Sequence, residues 1–236
     1  MPKFRAIIFD FDGTLADTMG DHFRAWQAVM AEYGIRLLPE DYYPLEGVRV
    51  AELPRRFFTT YHQSPRDEEV IVRNKEEYYL AHHRFAFYRG VEGFIGELHG
   101  KGIPMAVVTT GLRQRLQHSV PAGFLEQFHA VVTGEDTAEG KPSPQPYLRG
   151  AERLGVPAVE CIVVENAPLG IEAAKRAGAY CVALCMTVPR RLLEQQTRAD
   201  EVVDSFEALR DSRGVRQLLE SVGGVDPWEE DGSDRR

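Results

Sequence analysis

Short runs of consecutive apolar residues recur along the chain, each about the length of one strand. They lie at residues 5–9, 105–109, 129–133, 161–164 and 179–184. Because these runs are apolar on both faces, they suit parallel strands covered by helices on either side. Stretches with helical spacing separate them, at about 91–100, 111–127, 144–155 and 168–177. A weaker strand at 201–203 and a helix around 205–222 complete the series. Strand–helix alternation at this spacing predicts an α/β fold, a doubly wound parallel sheet.

Residues 18 to 88 break the alternation. They are helical in pattern, rich in aromatic and charged side chains, and carry no convincing strand. A segment of roughly 70 residues is too long for a loop in a compact domain. It predicts an inserted helical domain at 17–88, leaving 1–16 and 89–225 as the core. The hinges are expected near Ala16-Asp17 and Tyr88-Arg89-Gly90. The polar stretch 226–236 is expected to be disordered.

Composition narrows the partners. Asp and Glu outnumber Lys and Arg by 36 to 28, a net charge of −8, which disfavours nucleic acid and anionic membranes as partners. The three cysteines, Cys161, Cys181 and Cys185, are odd in number and sit in or beside apolar runs. That argues against a disulfide framework and for a reducing compartment. The apolar run before Asp10 is too short for a signal peptide. The run from 179 to 188 falls well short of the ~20 residues of a membrane span. A cytoplasmic protein is expected, as a monomer or a weak homo-oligomer.

In open α/β sheets the chemistry lies at the carboxyl ends of the strands. The first strand there gives Asp10-Phe-Asp12-Gly13-Thr14, and the second gives Thr109-Thr110-Gly111. Lys141 stands just before a helix, and the 161–164 strand runs into Glu165-Asn166. Asp10, Glu165 and Asn166 supply oxygen ligands of the kind Mg²⁺ takes. Thr109 and Lys141 can hold phosphoryl oxygens. Asp12, two residues after Asp10, can reach the same mouth over a turn relaxed by Gly13, as a second acid beside a carboxylate nucleophile. Carboxylates gathered this closely repel; unit charges ~4 Å apart cost about 4 kcal/mol at an effective dielectric of 20, which a divalent ion relieves.

The four segments resemble, in order and spacing, the four motifs of the haloacid-dehalogenase-like superfamily: Asp10-Phe-Asp-Gly-Thr14, Val108-Thr109-Thr110, Lys141-Pro142 and Val164-Glu-Asn-Ala-Pro-Leu-Gly170. The resemblance covers residues 3 to 206 and implies a Rossmann-like core with a helical cap of the β-phosphoglucomutase and phosphoglycolate-phosphatase type. It also implies a Mg²⁺-dependent enzyme acting on a small phosphate ester through an aspartyl-phosphate. Asp10 would be the nucleophile and Asp12 the general acid/base. Thr109 and Lys141 would bind the transferring group. Asp10, the Asp12 carbonyl, Glu165 and Asn166 would hold the metal.

Within the insert, Asp17-Thr18 with His22-Phe-Arg-Ala-Trp26, residues 45–48 and the stretch around Lys75 are similar to the mutase cap. The likeness puts His22, Trp26 and Lys75 against the substrate. Thr110, Gly111 and Arg113 are counted with them, Arg113 as the holder of a second anionic group. Bland readings stand beside these: Trp26 and Phe23 as core of an amphipathic helix, Lys75 and Arg113 on solvated faces, His82 and His83 on the surface. The chain departs from the mutase pattern at Arg49, one position early, and at Gly111 and Arg113, where the mutase has serine and asparagine. Asn166 replaces the family's usual aspartate. A phosphatase is the leading expectation; a sugar-phosphate mutase and a non-catalytic sugar-phosphate binder are the alternatives.

Overall fold

The computed structural model describes residues 4–222. The stretch 226–236, expected to be disordered, lies outside the described residues. Six parallel strands form one sheet: β1 (Ala6–Phe9), β2 (Met105–Val108), β3 (Ala130–Val132), β4 (Cys161–Glu165), β5 (Tyr180–Leu184) and β6 (Glu201–Val203). Their spatial order is β3-β2-β1-β4-β5-β6. The order reverses at β1, so the crevice outside its carboxyl end is the natural ligand site of this topology.

The doubly apolar strands explain the layering. Alternate residues face opposite sides of a strand. Ile7, Phe9, Met105, Val107, Ile162 and Val164 enter one apolar layer. Ala6, Ile8, Ala106, Val108, Cys161 and Val163 enter the other. The register sets Phe9 level with Val107 on β2 and Val164 on β4. Asp10, the next residue, therefore emerges beside Glu165.

The insert holds α1 (Met19–Ala31), α2 (Pro39–Tyr42), α3 (Leu53–Thr60) and α4 (Glu68–His82). These helices share a third apolar cluster, with Trp26, Met30, Phe57, Phe58 and Ile71 buried in it. Leu112, just before the helix 113–119, and Leu169, in the first turn of the helix 168–176, pack against that cluster from the sheet's carboxyl edge. The two connections to the sheet run side by side: Asp17 N–H donates to Ala86 O at 2.9 Å and Tyr88 N–H to Leu15 O at 3.1 Å.

The later helices are α5 (Val91–Gly100), α6 (Arg113–Ser119), α7 (Gln145–Leu154), α8 (Pro168–Arg176), α9 (Arg190–Gln196), α10 (Phe206–Arg210) and α11 (Arg213–Val222). Three differ from the sequence expectation. The helix expected over 111–127 stops at Ser119, because Val120 precedes Pro121 and is held extended at φ −86°, ψ 136°. The expected helix around 205–222 is two helices, each opened by a serine: Ser205 Oγ accepts from Ala208 N and Ser212 Oγ from Val215 N. α9 was not foreseen; it starts directly after Pro189.

Candidate active site

The carboxyl ends of β1, β2 and β4 bring Asp10, Thr109 and Glu165 together, as the strand pattern predicted. Lys141 joins them from the loop before α7. Its Nζ donates to Asp10 Oδ1 at 2.5 Å and to Glu165 Oε1. Glu165 is fully buried with both oxygens engaged: Oε1 also accepts from Tyr147 Oη at 2.7 Å, and Oε2 from the Asn166 and Ala167 N–H groups. Burial works against the Lys141 ammonium, but the Asp10 and Glu165 carboxylates more than offset it and hold it above the usual lysine range. Asp10 has one oxygen on Lys141 and the other, Oδ2, buried with no partner. Burial raises its carboxyl to about 7; Lys141 opposes the rise and Glu165 adds to it.

Two close approaches keep this trio in register. A Cβ on Gly170 would lie 1.6 Å from Glu165 Oε1, so the first turn of α8 can pass the carboxylate only as glycine. Gly13 takes φ +84°, and a Cβ there would meet Asn166 Nδ2 at 2.4 Å. Asn166 Oδ1 accepts from Thr14 Oγ1 at 2.8 Å.

Asp12 sits in a different environment. Its carboxylate accepts five hydrogen bonds: Oδ1 from Thr18, His22 Nε2 and Arg115 Nη1, and Oδ2 from Thr109 Oγ1 and Arg115 Nη2. Burial alone would raise its pKa. The Arg115 guanidinium, 2.6 Å away, and then His22 reverse that and hold it well below the usual range. Arg115 is 2% exposed and also faces Glu76 at 3.6 Å. Lys75 Nζ donates to Glu76 Oε1 at 2.8 Å and to His22 Nδ1 at 2.9 Å. An ammonium can only donate, so Nδ1 is the acceptor and the His22 proton sits on Nε2, pointing at Asp12. Burial, then Lys75 and Arg115, lower His22 to about 4, so the imidazole is neutral at pH 7.

Asp10, Asp12, His22, Trp26, Lys75, Thr109, Thr110, Gly111, Glu165 and Asn166 all line one cavity between sheet and insert. It measures about 60 Å³, well under the ~300–1,000 Å³ of an open small-molecule site. Lys141 lies just beneath it, under Gly47. Trp26 satisfies both readings, as it is buried against Phe57 yet reaches the cavity wall. His82 is on the surface as expected; His83 is half-buried. Arg113 does not line the cavity. Its side chain is 40% exposed and pairs with Asp136 at 2.5 Å, so the expected holder of a second anion points elsewhere. The guanidinium that enters is Arg115, two residues on and so on the opposite face of α6. Leu112, Arg115, Leu116 and Ser119 follow the i, i+3, i+4, i+7 spacing of a buried stripe, which was the available signal. Gly111 makes room for it: a Cβ there would lie 2.0 Å from Arg115 Nη2.

Oxygen donors suited to a hard divalent cation are present. Among the described residues no three His, Cys, Asp or Glu side chains converge as a ready-made metal cluster. A cation would draw on the unpartnered Asp10 Oδ2, the Asp12 carbonyl and Asn166 Oδ1. Glu165, expected as a ligand, has both oxygens taken up by protein donors and here positions Lys141.

The arrangement is that of a phosphoryl-transfer hydrolase core, with a carboxylate between a lysine and an open coordination direction and a second carboxylate two residues on. Residues 7–184 match the family model described as haloacid dehalogenase-like hydrolase, and the chain belongs to that family. It is 31% identical over 183 residues to the fructose-1-phosphate phosphatase YqaB of Escherichia coli, covering 75% of this chain and 94% of that one. Hexitol phosphatase A of the same organism is 31% identical over 184 residues, 77% and 83% of the two chains. The crystal structure of CbbY from Rhodobacter sphaeroides in complex with phosphate superposes with a TM-score of 0.75 at 31% identity, covering 87% and 96%. The chloroplastic protein SUPPRESSOR OF QUENCHING 1 of Arabidopsis thaliana matches at 28% over 200 residues, where this chain spans 19% of that longer protein.

Proposed function

We propose that this hydrolase is a Mg²⁺-dependent phosphatase of a small organic phosphomonoester, a sugar phosphate or a phosphoglycolate-like compound, working in a reducing cytoplasm. The observation that carries the reading is Asp10, buried at the switch point with one oxygen on Lys141 and the other unpartnered. The matched sugar phosphatases support the substrate class.

Asp10 Oδ attacks phosphorus, a P–O bond forms, and the ester P–O bond breaks. The departing alkoxide takes a proton from Asp12. Water then attacks the aspartyl-phosphate, gives its proton to Asp12, and the bond to Asp10 breaks. Lys141 and Thr109 hold the phosphoryl oxygens through both steps. Mg²⁺, for which Asp10, the Asp12 carbonyl and Asn166 would be the ligands, would supply charge neutralisation for the phosphoryl group. Asp12 as found is the ionised partner of Arg115, the form that accepts the proton of water; protonating a leaving group requires substrate to draw the guanidinium away. The insert, residues 17–88, acts as a lid over the core formed by 1–16 and 89–225, and the small cavity is its closed state.

In MgCl₂, Asp10→Asn should abolish phosphate release from p-nitrophenyl phosphate; retained turnover would overturn the nucleophile assignment. Incubation with β-glucose 1-phosphate should give free phosphate if that sugar is accepted. Accumulation of glucose 6-phosphate instead would favour the mutase.

A further inference from the structure

Glu46 belongs to the insert, directly after the short 3₁₀ turn Tyr43–Leu45. Its side chain is buried and faces across the cavity onto the sheet. Oε2 accepts from Asn166 Nδ2 at 3.1 Å and from Thr187 Oγ1 at 3.0 Å, both neutral donors. The charged group that acts on it most is another carboxylate, Glu165, which repels it. Buried carboxylates are normally paired with a cation or coordinate a metal. Glu46 has neither hydrogen bond nor ion pair to a cationic side chain among the described residues. Across the same cavity, Asp10 Oδ2 is buried and unpartnered. Glu46 and Asp10 Oδ2 thus face one pocket without a cationic partner, where strand-end position 166 supplies only a neutral amide.

The turn that carries Glu46 is docked by its neighbours. Arg49 Nη1 donates to Ala138 O at 2.6 Å and Nη2 to Gly134 O at 3.1 Å. Gly47, at φ +89°, passes over the Lys141 stem, where a Cβ would lie 3.3 Å from Cδ.

We propose that Glu46 carries from the insert the negative charge that Asn166 lacks, so that tight divalent-cation binding and docking of the 46–49 turn are one coupled event. The proposal rests on the metal-dependent reading above. Its consequence is reciprocal: docking strengthens the cation site, and the cation holds the turn down to the same extent. Glu46 is a positioning residue in this sense, acting through Asn166 and the cation.

The test is calorimetric titration of MgCl₂ into the full chain, which needs no turnover. Glu46→Gln should weaken Mg²⁺ binding by 10- to 100-fold, the range seen when an outer-shell partner is removed. Asn166→Asp in that background should recover most of the loss. Amide exchange at residues 46–49 should slow on adding Mg²⁺ in the parent protein and not in Glu46→Gln. Arg49→Ala keeps the carboxylate but releases the turn, and it too should weaken binding. It carries the test alone if Glu46→Gln fails to fold. Unchanged affinity in Glu46→Gln, or in Arg49→Ala where only that variant folds, would overturn the proposal. So would a loss in Glu46→Gln that Asn166→Asp does not restore. The phosphatase reading fails separately, through turnover by Asp10→Asn.

Discussion

The two carboxylates of the first motif stand two residues apart and live under opposite electrostatics. Asp10 belongs to a trio with Lys141 and Glu165, where one ammonium serves two buried carboxylates. Asp12 belongs to a quartet of charges with Arg115, Glu76 and Lys75, balanced two against two and joined by neutral His22. The first is built by strand ends and the loop before α7. The second needs α1 and α4 of the insert and α6 of the sheet layer. The trio is anion-rich, with Asp10 Oδ2 unpartnered; in the quartet the unpartnered atoms, Glu76 Oε2 and Arg115 Nε, are of opposite charge and face each other at 3.6 Å. On the proposed reading, the deficit of positive charge in the trio is what a divalent cation would fill, whereas the balanced quartet ties the insert to the sheet layer.

The comparison is broken most severely at Lys141. Lys141→Met should leave Asp10 and Glu165 uncompensated and cost about 3–5 kcal/mol in urea unfolding, with loss of turnover. Adding Glu165→Gln should return part of that stability, and failure to do so would mean that repulsion is not the cause. Next is Asp10→Asn in metal-free buffer. The folded carboxyl titrates at about 7 against an ordinary 3.8, so ionising it costs the folded state and stability declines as pH rises between those values. The amide variant lacks that decline. It should gain about 2–4 kcal/mol over the parent at pH 8, and the gain should vanish below pH 4.

On the quartet side the effects should be smaller. Arg115→Ala removes two hydrogen bonds to Asp12 and should cost about 2–3 kcal/mol. Gly111→Ala should act in the same direction by displacing the guanidinium, at about 1–3 kcal/mol. A wild-type urea midpoint for Gly111→Ala would show that Arg115 can move without loss. The smallest effect is expected at His22, whose folded value of about 4 lies below its ordinary 6.5. The unfolded chain binds the extra proton between those values, so stability falls as pH drops through that window. His22→Gln should flatten the fall, by about 1–2 kcal/mol at pH 5.

The same contrast separates what the sequence revealed from what it hid. Asp10, Thr109, Lys141 and Glu165 are strand-end or pre-helix residues, and a parallel sheet forces such positions to one edge. Their convergence follows from topology alone. Glu76 and Glu46 come from a helix and a turn whose placement depends on how the insert packs, which no local pattern fixes; Arg115 carries a local signal, the buried stripe of α6. For Arg113 the start of the helix beside the phosphate site allows either an anion contact or a solvated face; the helical phase of α6 turns it outward and Arg115 inward. The break after Ser119 lies in Pro121, which holds Val120 extended and ends the helix.

Arg49 crosses from the insert to two main-chain carbonyls, those of Gly134 and Ala138. Carbonyls belong to every residue, so the strap reads no side chain at 134 or 138, although Gly134 is fixed for another reason: a Cβ there would lie 2.4 Å from Thr110 O. Gly140 bears on the strap directly, since a methyl there would come 2.2 Å from Arg49 Cγ. A single hydrogen atom, two residues beyond the strap, decides whether the arginine stem has a path. Substitution at that position would reach the strap on one side and, through the next residue, Lys141 on the other.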